Sequence, residues 1–123
     1  MLREIPNTKQ IPGDPFRRWF CDETFDLIVW YSPEDAIIGF QLCYRDGQER
    51  KALTWFDGKG FSHDRIDDGE DGAASHMLAP ILVPDGAFEQ DRILALFERE
   101  SKEIDPVAVR TVMDVIANHR PAG

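Results

Sequence analysis

The chain has 123 residues, 42% apolar and 30% charged, which suits one globular domain and is too apolar for general disorder. Asp and Glu total 23 against 14 Lys and Arg, and a net charge of -9 repels phosphate backbones, so no nucleic-acid partner is expected. No apolar run approaches the roughly 20 residues of a membrane helix. The opening Met1-Leu2-Arg3-Glu4-Ile5-Pro6 also lacks a signal peptide's apolar stretch, so a cytoplasmic protein without membrane association is expected.

Residues 1–15 read as an irregular arm, because Pro6, Pro12, Gly13 and Pro15 interrupt both helix and sheet. A single domain is expected over 16–123. Strands are predicted at Phe16–Cys21, Phe25–Tyr31, Ile37–Arg45, Lys51–Phe56 and Phe61–Asp67. The links between them are too short for parallel crossovers, so the sheet is an antiparallel meander. The segment 68–74 is acidic and glycine-rich and reads as a loop. Met77–Val83 reads as extended, with Pro80 confining it to an edge or a bulge.

Two helices should close the chain. Asp85 is a candidate cap for the first, with Glu89 and Asp91 near its positive end. Ile93, Leu96 and Phe97 share one helical stripe, which Ile104 continues. Asp105-Pro106 marks a second start, followed by the stripe Val109, Val112, Met113 and Ile116. So short a link makes a helical hairpin. The expected fold is therefore α+β: a five- to six-stranded antiparallel meander with a two-helix hairpin packed on one face.

Turn positions propose a register. A four-residue turn at 32–35 pairs Val29 with Ile38, and a two-residue turn at Asp46-Gly47 pairs Phe40 with Leu53 and Ile38 with Trp55. Phe25, Leu27, Val29, Ile38, Phe40, Leu42, Leu53 and Trp55 then form the core face. A four-residue turn at 57–60 would pair Thr54 with His63 and Ala52 with Arg65. The far face would then hold Asp26, Ile28, Trp30, Ile37, Gln41, Cys43, Thr54, Phe56, Phe61, His63, Arg65 and Asp67, with the small residues Gly39 and Ala52 between them, aromatic groups toward one end and Asp26, Gln41, Arg65 and Asp67 toward the other. This is the candidate binding trough, with Gln41, Thr54, His63, Arg65, Asp67 and Trp30 as candidate ligand contacts. Arg65 offers a donor fork for a small anionic ligand. A protein partner, or a second copy in a homodimer, would cover the same face.

Other constellations carry less. Ser62-His63-Asp64 holds triad residue types, but neighbours on a strand point to opposite faces, so no local relay forms. The acidic tract from Asp64 fits neither frame of a calcium-binding helix–loop–helix. His63 and Asp67 lie roughly 13 Å apart at about 3.3 Å per residue, too far to share one ion with His76 on a regular strand. Cys21 and Cys43 form no metal-binding spacing and read as free thiols, although both lie on strands of one sheet. No nucleotide fingerprint is present, and no cofactor or metal is expected. A non-catalytic binding module is the leading reading. The alternative is a small enzyme using His63 with Asp67 or Asp68 as an acid–base pair.

The tracts Arg-Arg-Trp-Phe, Phe-Asp-Leu-Ile-Val-Trp, Gly-Phe-Gln-Leu-Cys-Tyr, Ala-Leu-Thr-Trp and Gly-Phe-Ser-His-Asp-Arg-Ile-Asp-Asp-Gly-Glu span 17–70. Together with Pro-Ile-Leu-Val-Pro-Asp-Gly-Ala-Phe at 80–88, the chain resembles a set of small uncharacterised bacterial proteins. The resemblance implies a bacterial, cytoplasmic origin. It brings no assigned activity and no catalytic residue.

Overall fold

A computed structural model describes residues 1–67, 81–84 and 90–118. The expected loop at 68–74, the stretch 77–80 with its Pro80, the Asp85 cap, Glu89, Asp68 and His76 lie outside the described residues, as does the Asp67 side chain.

The fold is α+β. Among the described residues, seven antiparallel strands follow one another in chain order: β1 (Arg3–Glu4), β2 (Phe16–Cys21), β3 (Phe25–Tyr31), β4 (Ile37–Asp46), β5 (Glu49–Phe56), β6 (Gly60–Asp67) and β7 (Ile81–Pro84). The helices α1 (Gln90–Glu100) and α2 (Pro106–Asn118) follow the strands. No helix among the described residues is long and apolar enough to cross a membrane.

Aromatic and β-branched residues alternating at period two give β3 its pattern, with Phe25, Leu27, Val29 and Tyr31 buried and the residues between them half-buried. Phe20, Phe40, Leu42, Tyr44 and Leu53 extend this face. Ile93 and Phe97 of α1, and Ala108, Val112 and Ile116 of α2, close over it. Phe25 meets Phe97 edge-on at 5.7 Å between ring centroids. Each large side chain removed from water here contributes about 1.5–3 kcal/mol before entropy is charged against it. Trp55 packs on this core while keeping part of its surface exposed.

The helical hairpin forms as its signals require. Asp105 caps α2, its Oδ1 accepting from the Val107 amide at 3.1 Å. Gln90 at the start of α1 donates to the carbonyl of Ile116 near the end of α2 at 2.6 Å, which fixes the helices antiparallel.

The arm is not irregular throughout. Leu2 is fully buried in the core and donates its amide to the Glu100 carbonyl at 2.7 Å, while Arg3 and Glu4 pair with Cys21 and Phe20. One buried leucine gives the arm an anchor that its prolines concealed. Residues 5–15 hold no helix or strand.

Three hairpins close differently from expectation. A bulge at Trp30/Tyr31 pairs Tyr31 with Ile37 and Val29 with Phe40, so Ile37 packs against the core instead of facing away. The β4–β5 turn is Gly47-Gln48, which pairs Phe40 with Trp55 and Leu42 with Leu53. Each of these changes shifts the central pairing by two residues and keeps the side chains from Gly39 onward on their expected faces, whereas Ile38, expected in the core, is the extra residue at the bulge and does not belong to the core cluster.

The β5–β6 loop has a larger consequence. Gly58 (φ 79°) and Gly60 (φ 95°) both adopt left-handed dihedrals, so the loop closes over three residues, 57–59, and Phe56 pairs with Gly60. The slip is one residue. His63 consequently pairs with Leu53 and Arg65 with Lys51, and Phe61, His63 and Arg65 share the helix-covered side.

Candidate functional site

The face opposite the helices is built from rows that run across the strands. The first row is Arg17, Trp30, Gly39 and Phe56. The second is Trp19, Ile28, Gln41, Thr54 and Ser62, and the third is Cys21, Asp26, Cys43, Ala52 and Asp64. Aromatic rings therefore gather at one end and carboxylates at the other, as the sequence pattern suggested, although the β6 contributors are Ser62 and Asp64.

Gly39 explains the aromatic end. Phe56 lies over it: a Cβ there would meet the Phe56 Cδ1, come within 2.6 Å of its Cε1, and approach the Trp55 carbonyl at 2.8 Å. The absent side chain lets the Phe56 ring lie down against the sheet, where its centroid is 5.1 Å from that of Trp30. Trp19, Trp30 and Phe56 are all half-buried.

The polar groups bind one another. Gln41 Nε2 donates to Thr54 Oγ1 at 3.1 Å, and the Cys43 thiol lies 3.8 Å from Gln41 Oε1. The Trp19 indole donates to Asp26 at 3.1 Å, and Ser62 donates to Asp64 at 3.0 Å. Ala52 is fully buried and Asp64 is 8% exposed. Burial pushes the Cys43 thiol up to about 11, with the nearby Arg50 opposing and Asp26 reinforcing the shift, so at neutral pH the group is a protonated thiol and a poor nucleophile. Cys21 and Cys43 are both free, and Asp26 of the strand between them separates the pair.

Of the candidate contacts, the structure brings Trp30, Gln41 and Thr54 onto one face and places His63 and Arg65 on the other. His63 is 7% exposed, and its Nε2 lies 2.7 Å from the Tyr44 hydroxyl. The imidazole is thus held at low exposure with a hydrogen-bond partner, as buried polar groups generally are. Trp19, Ser62 and Asp64 were not anticipated as site residues. The second glycine of Asp57-Gly58-Lys59-Gly60 was the available signal, since a glycine just past a three-residue loop favours the shorter closure.

Where the turn between β2 and β3 meets the far face, a cleft of about 70 Å³ is lined by Thr24, Asp26, Cys43, Arg45 and Arg50, among others. This is well below the roughly 300–1,000 Å³ of an ordinary small-molecule pocket. Among the described residues, no group of three His, Cys, Asp or Glu is arranged to hold a metal ion. Comparison with protein-family models, curated proteins and solved structures yields no match.

Proposed function

We propose that the chain is a non-catalytic binding module whose partner is another protein, docked across the face that carries Trp19, Trp30, Phe56, Gln41 and Thr54. The observation that supports this reading is the set of half-buried aromatic rings on the side of the sheet opposite both helices. Rings of this kind, rimmed by hydrogen-bonding groups, are the usual anchors of protein interfaces. An anionic ligand is less well served, because the two donors first assigned to it, His63 and Arg65, stand on the other side of the sheet.

Amide shift mapping tests the reading. A partner isolated with the wild-type chain, purified and titrated back, should move the amides around Trp30, Gln41 and Thr54, and Trp30→Ser should weaken its binding at least tenfold. Shifts confined to α1 and α2, or equal affinity for the Trp30→Ser variant, would remove the far face from consideration.

A further inference from the structure

We propose that the arm is an exchangeable segment, and that it reaches a second copy of this chain, each copy laying its residues 1–10 on the sheet of the other. The proposal does not depend on what binds the far face.

The arm is fastened by contacts that another copy's arm can reproduce one for one. Leu2 fills a place in the core, and Ile5 donates to the Trp19 carbonyl at 2.8 Å beyond the short β1–β2 pairing. The Glu4 carboxylate forks onto Arg18 at 2.6 and 2.9 Å. The Gln10 carboxamide acts as a substitute strand: its Oε1 accepts from the Arg17 amide at 2.9 Å, and its Nε2 donates to the Arg17 carbonyl at 2.8 Å. This contact covers the outer edge of β2 beyond the reach of β1.

Residues 11–15, which join the arm to β2, are all exposed. One turn reverses the chain there, with the Asp14 amide donating to the Ile11 carbonyl at 3.0 Å. Pro12 and Gly13 occupy its centre, and Gly13 has φ 88°, the arrangement of a type II turn. When this turn opens, Ile11 and Asp14, each preceding a proline, take the extended conformation that such residues prefer. The opened arm can then reach a neighbour, whose own arm returns to fill the vacated place. Since the arm contacts are the same in both forms, their balance rests on the hinge conformation and on protein concentration.

Gly13 separates the two forms experimentally. A Cβ at this position meets nothing within 4 Å, so Gly13→Val leaves packing untouched and penalises only the left-handed turn of the closed form. Arg3 stands directly opposite Cys21 in the register, which suits a disulfide reporter. Arg3→Cys, in a chain also carrying Cys43→Ser, is oxidised over a range of protein concentrations and run on a non-reducing gel. A closed arm gives an internal disulfide and a monomer band; an exchanged arm gives a covalent dimer. With the native hinge, the dimer fraction should rise with concentration, and Gly13→Val should raise it several-fold at each concentration. Internal disulfides alone at every concentration, or a dimer fraction unaffected by Gly13→Val, would overturn the proposal. The native-hinge series decides the matter by itself if the valine variant fails to fold.

Discussion

The Tyr44 hydroxyl and His63 Nε2 stand 2.7 Å apart on the helix-covered side of the sheet, with their rings nearly parallel at 14°. Tyr44 is 6% exposed and His63 is 7% exposed, so water is a poor substitute for either partner. Tyr44→Phe keeps the ring and removes the hydroxyl. It should cost about 0.5–1.5 kcal/mol, the net range for losing one intramolecular hydrogen bond. Urea melts of the two proteins measure this. A difference under about 0.5 kcal/mol, the scale of ordinary surface changes, would show that the contact contributes nothing.

Phe40 and Trp55 are paired across β4 and β5, with ring centroids 5.9 Å apart, yet they differ in burial. Phe40 is fully buried, whereas Trp55 retains partial exposure. Phe40→Ala should therefore cost about 3–5 kcal/mol, as for a fully enclosed aromatic. Trp55→Ala should cost less, about 2–3 kcal/mol, because part of its surface is already in water. The order of the two midpoints in denaturant is the test, and a reversed order would contradict the burial assignment.

The bounds of β2 and β3 were legible to the residue, and those of β4, β5 and β6 to within two, because apolar alternation stops where Asp, Gly and Pro begin. The fold class followed from short links and two capped helices. Facing was legible only where closure errors came in steps of two. The bulge after Trp30 and the Gly47-Gln48 turn each moved central partners by two positions, so Gln41, Thr54 and Trp30 kept their places. The loop after Phe56 was one residue shorter than expected, and that single step carried His63 and Arg65 to the other side. Alternation in β6 could not reveal the slip, since both of its faces carry mixed polar and apolar residues.

Glu4 and Arg18 fasten the arm, and Arg18 also donates to Asp105 at 3.0 Å and to the Tyr31 hydroxyl at 3.3 Å. The hydrogen bond from Arg18 holds the Glu4 carboxyl below its usual range, against a smaller opposing effect of burial. A depressed folded value means that the pair contributes stability above the ordinary carboxylate range and loses it as pH falls through the folded value. Wild type should therefore exceed Glu4→Gln at neutral pH by no more than about 1 kcal/mol, since the Glu4 side chain is 42% exposed and screened by solvent. The gap should close in acid and narrow in concentrated salt. Melts at neutral and strongly acidic pH provide the comparison, and a gap that persists unchanged in acid would assign the effect to packing.

Gly39 links the sheet backbone to the aromatic end of the far face. Gly39→Ala places a methyl group where Phe56 now lies and within 2.8 Å of the Trp55 carbonyl oxygen. The ring can swing away, but the carbonyl moves only if the β4–β5 pairing moves with it. Overpacking of this kind should destabilise the chain by about 1–3 kcal/mol. It should also lift Phe56 from the sheet and break its contact with Trp30, which is now 5.1 Å between ring centroids. Phe56→Ala in the same background separates the two effects, because removing the ring leaves only the carbonyl clash. The double variant should therefore lose less, relative to Phe56→Ala alone, than Gly39→Ala loses relative to wild type. Denaturant melts of the four proteins give that coupling, and strict additivity would show that Phe56 does not lie over Gly39 in solution.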